Sequence, residues 1–184
     1  MIMIKNGIEK KQMDLRMNIK PYKIDIQEDY GAWNDDVPNN YEIVVRACET
    51  TLYHQKVKSA EISVLLAGNS RITDLNDEFR GKDAPTNILS FPSYIITPDN
   101  MHEAFSGEDR PMIGDIILAF ETIDEEANNQ GKKLEDHIAH LVIHGVLHLL
   151  GYDHVKDDEA KRMEDIEIEI LKSLNIENPY TGLE

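Results

Sequence analysis

The feature of this sequence that most constrains its fold is a series of histidines at helical spacing near the C-terminal end. Five of the seven histidines fall within residues 137–154. His140, His144 and His148 lie four residues apart in a strongly apolar segment, which places them on one face of a helix. Because a helix rises about 1.5 Å per residue, His140 and His148 are separated by about 12 Å. That separation is too long for both to bind one ion, so only an adjacent pair can share a metal.

Gly151 indicates which pair this is. A glycine directly after the apolar segment can adopt the left-handed conformation that ends a helix and turns the chain back. The turn brings His154 to the face that carries His144 and His148, so the sequence HGVLHLLGYDH predicts a three-histidine metal site. Three protein ligands leave a fourth tetrahedral position free, which is typical of catalytic rather than structural zinc.

Two other features bear on this prediction. Histidines on a core helix can also be structural residues without a metal, and for His137 and His140 a role behind the ligands and a structural role both stay open. The single cysteine, Cys48, excludes an internal disulfide and a cysteine-based zinc site, so any metal must be held by histidine and carboxylate. Cys48 lies in an amphipathic helical pattern, which predicts a small core residue.

The length of 184 residues and the 41% apolar content fit one globular domain with a substantial core. We predict a loosely ordered N-terminal extension at residues 1–20, with Met17 as an alternative start, and a single domain over residues 21–184. No stretch approaches the roughly 20 apolar residues of a membrane span, and the N-terminus is a poor signal peptide. A cytoplasmic location and no membrane partner are therefore expected.

The net charge of −16 restricts the kinds of ligand that the surface can attract. Proteins that coat nucleic acid without sequence preference depend on cationic neutralisation of phosphates. A role on nucleic acid therefore requires a local cationic site, a metal ion or a partner.

Hydrophobic periodicity predicts an α+β domain: a small mixed sheet of about four strands, packed with about five helices, with the metal site at the end of a central helix. Ser70 is the predicted N-cap of a short helix from Arg71 to about Phe79, and residues 95–112 are predicted to be a polar loop. The predicted strands are 22–27, 61–67, 87–91 and 114–120, and the other predicted helices are 40–56, 121–129, 133–150 and 157–174.

The spacing of the histidines also matches the metzincin protease pattern, H-E-x-x-H-x-x-G-x-x-H. Gly145 stands where those proteases have the glutamate that serves as general base, and glycine cannot accept a proton. Met163 lies on a predicted helix and is a poor candidate for the methionine turn of that family. A zinc metalloprotease is therefore an alternative, not the preferred interpretation.

Three segments taken together resemble the YbeY family of metal-dependent endoribonucleases, over most of the chain after residue 20. They are LNDEFRGKDAPTNILSFP at 75–92, GDIILA at 114–119 and HGVLHLLGYDH at 144–154. The resemblance implies one zinc ion at His144, His148 and His154, although another divalent metal also suits three histidines. It also implies a functional role for Arg80, a single-stranded RNA substrate, processing at the 16S rRNA 3′ end, ribosome quality control and ribosomal small-subunit partners, with no DNA substrate.

The chemistry of individual side chains is compatible with that function. Arg80 offers a permanently charged fork for a phosphate and Lys82 a second, more mobile charge. Together with Arg71 and the metal, Arg80 and Lys82 are hypothesised to form a local strip of positive charge on this otherwise acidic protein. We call it the positive strip. Asp153 could orient a ligand or relay a proton, or be a plain turn carboxylate, and Asp115 has the same alternatives.

The substrate contacts and the reaction route stay open at this point. Asp83, Pro85 and Thr86 are expected to shape the loop beside the metal. Attack by hydroxide and attack by the RNA 2′-hydroxyl are both compatible with a zinc site. A non-catalytic ribosome-assembly factor stabilised by a metal is the third interpretation.

Overall fold

The computed structural model describes residues 21–106 and 109–181, which form one α+β unit. Four strands and seven helices follow each other along these ranges. The strands are β1 (Tyr22–Glu28), β2 (Ala60–Ala67), β3 (Ile88–Pro92) and β4 (Met112–Ala119). The helices are α1 (Ala32–Asp36), α2 (Asn40–His54), α3 (Asn69–Arg80), α4 (Met101–Ala104), α5 (Phe120–Gln130), α6 (Leu134–Leu149) and α7 (Asp157–Ser173).

The four strands form one mixed sheet in the order β1-β2-β4-β3. β1 pairs with β2 and β2 with β4 in parallel, whereas β3 is an antiparallel edge strand on β4. In the centre of the sheet, Val64 of β2 lies beside Ile116 of β4, which lies beside Ser90 of β3. The predicted α+β class and four-stranded mixed sheet are confirmed, and two short helices, α1 and α4, join the five predicted ones.

Helix α6 is the central helix of the domain and packs directly on the sheet. Its middle is buried almost all round, which explains why the sequence is apolar on every face except the histidine face. The helix packs tightly on β3 and β4 at Gly145, where an added Cβ would lie 2.8 Å from Ile88 Cδ1 and 3.1 Å from Ile116 Cδ1. The glycine therefore permits the close packing that places the end of α6 beside the edge strand.

Helix α3 covers the opposite face of the sheet, and its start differs from the prediction. The helix begins at Asn69 after an extended Gly68, so Ser70 lies inside the first turn and makes no capping hydrogen bond. Instead, the Asn69 N–H donates to Glu121 Oε2 of α5 at 2.8 Å. A side chain 52 residues away in sequence therefore provides the hydrogen-bond acceptor for a backbone N–H at the start of this helix. The prediction that Ser70 is the N-cap was wrong.

Two smaller predictions can be compared with the structure. Cys48 is fully buried, as predicted for a core residue, and burial raises the pKa of its thiol. The predicted loop at 95–112 contains the short helix α4 and the first residue of β4. Within the described ranges, no helix has the length and apolar character needed to cross a bilayer. The predicted extension at residues 1–20 lies outside the described residues.

Candidate metal centre

The C-terminal end of α6 brings the three predicted histidines together. One ligand atom from each of His144, His148 and His154 lies within 4.8 Å of the other two. Gly151 makes the return of the chain possible, with a φ of 85° that disfavours other residues. A Cβ at this glycine would also lie 2.5 Å from the Ile96 carbonyl oxygen. The backbone of the loop at Ile96 therefore packs directly on the turn and leaves no room for a side chain there.

Hydrogen bonds fix the orientation of two of these rings. His144 Nδ1–H donates to Glu167 Oε1 at 2.8 Å, and His148 Nδ1–H donates to the Tyr152 carbonyl oxygen at 3.0 Å. Because a carboxylate and a carbonyl can only accept, the proton of each neutral ring lies on Nδ1. The Nε2 atom of each neutral ring therefore carries a free lone pair that can bind a metal.

The two Nε2 atoms of His144 and His148 face each other at 3.0 Å. Two unprotonated ring nitrogens at this distance repel unless a cation or a proton lies between them. Zinc–nitrogen bonds of about 2.0 Å in tetrahedral geometry would place two ligand atoms about 3.3 Å apart. The donor set and its spacing therefore fit a divalent transition metal such as zinc.

The electrostatics of His148 favour the form that binds metal. Burial, followed by the proximity of His144 and His154, lowers the pKa of His148 to about 4. At neutral pH this ring is therefore neutral and keeps its lone pair, as metal ligation requires.

Glu167 is the residue of this site that the sequence analysis did not identify. It lies on α7 with a fully buried side chain, and it accepts hydrogen bonds from His144 Nδ1, His140 Nε2 and the Tyr180 hydroxyl. Burial opposes its ionisation, but the hydrogen bonds from the two histidines outweigh burial and lower its pKa to about 2. A carboxylate that holds the far nitrogen of a ligand histidine is a common feature of zinc sites.

His137 and His140, whose roles the sequence left open, have different hydrogen-bond partners in the structure. His140 Nε2 lies 3.1 Å from Glu167 Oε2, so this ring belongs to the hydrogen-bond network behind His144. His137 Nε2 lies 2.8 Å from Glu126 Oε2 on α5, about two helical turns before His144. Neither ring joins the metal-binding group.

A cleft of about 550 Å³ opens above the three histidines. Arg80, at the end of α3, lines it and has no hydrogen-bond or ion-pair partner among the described residues. Asp153 also lines it, and its Oδ1 accepts the backbone N–H of His154 at 2.8 Å. Thr86 and Ser90 form part of the wall on the side of β3.

Several predicted residues lie outside this cleft. Lys82, Asp83 and Pro85 are exposed on the loop after α3 and are not part of the lining, and Arg71 is exposed at the start of that helix. Asp115 pairs with Phe91 on the sheet face opposite α6, because Ile116, the next residue, points toward α6. Of the two alternatives left open for Asp115, this position favours a carboxylate that has no contact with the metal site.

The structure also places a second arginine near the cleft that the sequence did not suggest. The Arg162 guanidinium lies over the ring of Tyr152 at 5.5 Å, and Tyr152 lines the cleft. Its Nη2 also lies 3.4 Å from Asp99 Oδ1. Nothing in the local sequence brings these residues together, because the contact joins the start of α7 to the 95–112 segment.

The position of Gly145 disfavours the protease alternative and yields a prediction. Gly145→Glu is expected to lower the free energy of unfolding by about 2 kcal/mol, because the new side chain overpacks against Ile88 and Ile116. The variant is also expected to have no peptidase activity. Denaturant unfolding and a peptide-cleavage assay measure these effects, and Asn129→Glu, at an exposed site on α5, is the control. A stable Gly145→Glu variant that cleaves peptides would contradict this interpretation.

Fold and site together define an α+β protein with a three-histidine cluster able to hold a metal ion at the end of its central helix. Comparison of the sequence with known families narrows this class to one family. The model of the family described as Endoribonuclease YbeY matches residues 26–175. The chain belongs to this family, which confirms the resemblance seen in the three sequence segments.

Individual relatives agree with this assignment. The Endoribonuclease YbeY of Parvibaculum lavamentivorans is 39% identical over 172 residues, covering 93% of this chain and 91% of the relative. That of Bartonella henselae is 38% identical over 162 residues, covering 87% of this chain and 98% of the relative. The solution structure of TM1509 from Thermotoga maritima is 22% identical with a TM-score of 0.52, covering 84% of this chain and 91% of that one. The last comparison supports the fold alone.

Proposed function

We propose that this chain is a zinc-dependent endoribonuclease that cleaves single-stranded RNA in the cleft above His144, His148 and His154. The observation that carries the proposal is the pair of Nε2 atoms 3.0 Å apart at the base of a cleft that also contains an arginine without an ion-pair partner among the described residues. The two relatives compared above are endoribonucleases by name, which supports RNA as the substrate.

The protein residues have separate tasks in this proposal. When bound, zinc supplies Lewis acidity that activates water near neutral pH and polarises a phosphoryl oxygen. Arg80 binds the phosphate, since its guanidinium lines the cleft free of any carboxylate among the described residues. Asp153 holds a carboxylate at the same cleft and is the candidate proton acceptor. Glu167 fixes the orientation of His144 from behind.

The proposal extends to a role in the cell. We assign the chain to maturation of the 16S rRNA 3′ end and to ribosome quality control in the cytoplasm, with small-subunit components as partners. The net charge of −16 supports the need for such partners, because the surface as a whole repels RNA. The resemblance to the family carries this part of the proposal.

The test is RNA cleavage with and without a chelator. An end-labelled single-stranded RNA is expected to be cut internally by the zinc-loaded protein, and chelation is expected to stop the reaction. Products with 2′,3′-cyclic ends would indicate attack by the 2′-hydroxyl, whereas 5′-phosphate and 3′-hydroxyl ends would indicate attack by water. Absence of any cleavage, together with a thermal stability that depends on metal, would support the non-catalytic assembly factor instead.

Arg80 and Lys82 are expected to contribute unequally to cleavage. Arg80→Ala should lower kcat/KM by about 10- to 100-fold, because it removes a charged fork at the cleft. Lys82→Ala should lower it by about twofold at most, since Lys82 is exposed and outside the lining. Steady-state kinetics on one oligonucleotide compare the two variants. Equal rates for both variants and the unmodified chain would refute the positive strip.

A further inference from the structure

A second cavity, of about 410 Å³, lies beside the first half of α6. It is lined by the turn that joins α5 to α6, by the first two turns of α6 and by segment 175–181, which follows α7. None of its lining residues lines the cleft above the three histidines, so the two spaces are separate. We call it the second cavity. Its ionisable lining residues are Lys132, Lys133, Asp136, His137, His140 and Glu177.

Two histidines in the wall of the second cavity each have a nitrogen without a hydrogen-bond partner. His137 Nε2–H donates to Glu126 Oε2, and His140 Nε2–H donates to Glu167 Oε2, so Nδ1 of each neutral ring is an acceptor. Both Nδ1 atoms are buried, and no described residue donates to either. His137 is 4% exposed, and burial lowers its pKa, which keeps its ring neutral. Because buried acceptors are nearly always satisfied, these two atoms indicate a ligand that brings hydrogen-bond donors.

Two lysines of the second cavity are cations without an ion-pair partner. Lys132 and Lys133 form no ion pair and no side-chain hydrogen bond among the described residues. Burial lowers the pKa of Lys132, because its ammonium group is partly removed from water. Lys133 is also the N-cap of α6, and no side chain caps the first N–H groups of this helix. Two cations beside the positive end of a helix attract an anion.

The acidic residues of the lining restrict which anion fits. Asp136 and Glu177 balance the two lysines, and they add acceptors to those of the two histidines. A fully ionised oxyanion has no hydrogen to donate to these acceptors. A phosphate group that keeps one proton has both kinds of group, since its charged oxygens accept and its hydroxyl donates. Sulfate has the same shape but carries no proton near neutral pH, so it fits less well.

We propose that the second cavity binds a phosphate group that retains a proton, either as free orthophosphate or as the monoester of a nucleotide. Lys132 and Lys133 bind its charged oxygens, and Nδ1 of His137 or His140 accepts its proton. The volume lies in the range of about 300–1,000 Å³ that is typical of small-molecule sites, so the organic part of a monoester also has room. The site does not depend on the endoribonuclease proposal, because its residues are separate from the cleft.

Two carboxylates connect the second cavity to the cleft. Glu167 links His140 to His144 through hydrogen bonds of 3.1 and 2.8 Å. Glu126 links the other histidine of the cavity to Asn87, whose Nδ2 donates to both carboxylate oxygens at 3.1 and 3.0 Å. Asn87 lines the cleft. An anion beside His140 favours a cation at His144, so phosphate should tighten zinc binding about fivefold, and zinc should tighten phosphate binding equally.

Calorimetric titration of the metal-free chain with orthophosphate tests the site. The titration is made at about pH 6.5, where a phosphate monoester with a second pKa of about 6 is partly protonated. We expect saturable binding, with sulfate weaker by about tenfold or more at equal ionic strength. The double variant Lys132→Ala, Lys133→Ala should bind phosphate about tenfold more weakly. Lys172→Ala, exposed on α7 and outside the lining, is the matched control and should bind normally.

Adenosine 5′-monophosphate distinguishes the two sources of the phosphate group. Tighter binding of the nucleotide than of orthophosphate assigns the site to a monoester, whereas equal or weaker binding assigns it to free phosphate. Equal affinity for phosphate and sulfate would overturn the inference. Phosphate binding that survives in the lysine double variant but disappears in Arg80→Ala would also overturn it, because the phosphate would then lie in the cleft.

Chelator competition measures the expected coupling to zinc. Orthophosphate should tighten zinc binding to the unmodified chain about fivefold and leave the lysine double variant unchanged. Complexes between free zinc and phosphate are the same in both samples, so the comparison removes their effect. An equal response of both proteins would refute the coupling. Thermal unfolding shows whether each variant keeps its fold.

Failure of this inference differs from failure of the proposed function. A zinc-loaded chain that cleaves RNA but binds no phosphate in the second cavity would overturn the inference alone. A chain that binds phosphate as expected but cleaves no RNA would keep the second cavity as a phosphate site and lose the endoribonuclease proposal.

Discussion

His148→Ala is expected to abolish stoichiometric zinc binding and RNA cleavage together. The substitution removes one of the two Nε2 atoms that face each other at 3.0 Å, and two remaining histidines cannot hold zinc as three can. Zinc content measured after gel filtration should fall from about one ion per chain to none. Cleavage of single-stranded RNA should fall to the level of a chelated sample.

The control for this variant is His102→Ala, which removes an exposed histidine of α4 that belongs neither to the cluster nor to the cleft lining. It should retain both zinc and activity. Cleavage that survives in His148→Ala would instead indicate a contaminating nuclease. Loss of zinc in a protein that never cleaved RNA would reduce the functional claim to metal binding.

Glu167→Ala is expected to weaken both the fold and the metal site. The change leaves His144 Nδ1, His140 Nε2 and the Tyr180 hydroxyl without their shared buried acceptor. Removing one partner from such a buried group costs about 3 kcal/mol of unfolding free energy. Zinc affinity should fall about 10- to 100-fold, because the orientation of His144 is no longer fixed.

Two further variants separate these effects. Glu167→Gln keeps the volume of the side chain, but its amide NH2 cannot accept a hydrogen bond from a histidine N–H. The variant should therefore bind zinc more weakly, while losing less stability than Glu167→Ala. Glu164→Ala, exposed on the same helix, should change neither quantity. Chelator competition measures the affinity and denaturant unfolding the stability. Normal zinc affinity in a folded Glu167→Gln would show that the carboxylate does not position His144.

The sequence predicted the parts of the site that depend on local geometry. The four-residue spacing of His144 and His148 fixes their common face, and a glycine at 151 fixes the turn, so these features follow from neighbouring residues alone. Strand and helix positions agree within a few residues for the same reason. The mixed sheet follows from the alternation of buried runs and helical periods.

The missed features all depend on partners far along the chain. Glu167 was not identified from the sequence, although its spacing from Met163 and Ile170 places it on the buried side of α7. That spacing is a signal that could have identified it. By contrast, the start of α3 depends on Glu121, which lies 52 residues further along the chain, and no local pattern reveals it.

The hydroxyl of Tyr180 completes the environment of Glu167 from a segment beyond the last helix. The match to the family ends at residue 175, five positions earlier. A truncated version designed from the family boundary would therefore lose a support of the candidate metal site while keeping all three histidines. For anyone trimming this chain for crystallisation or for metal-binding measurements, the practical C-terminal limit is Tyr180, not the end of the family match.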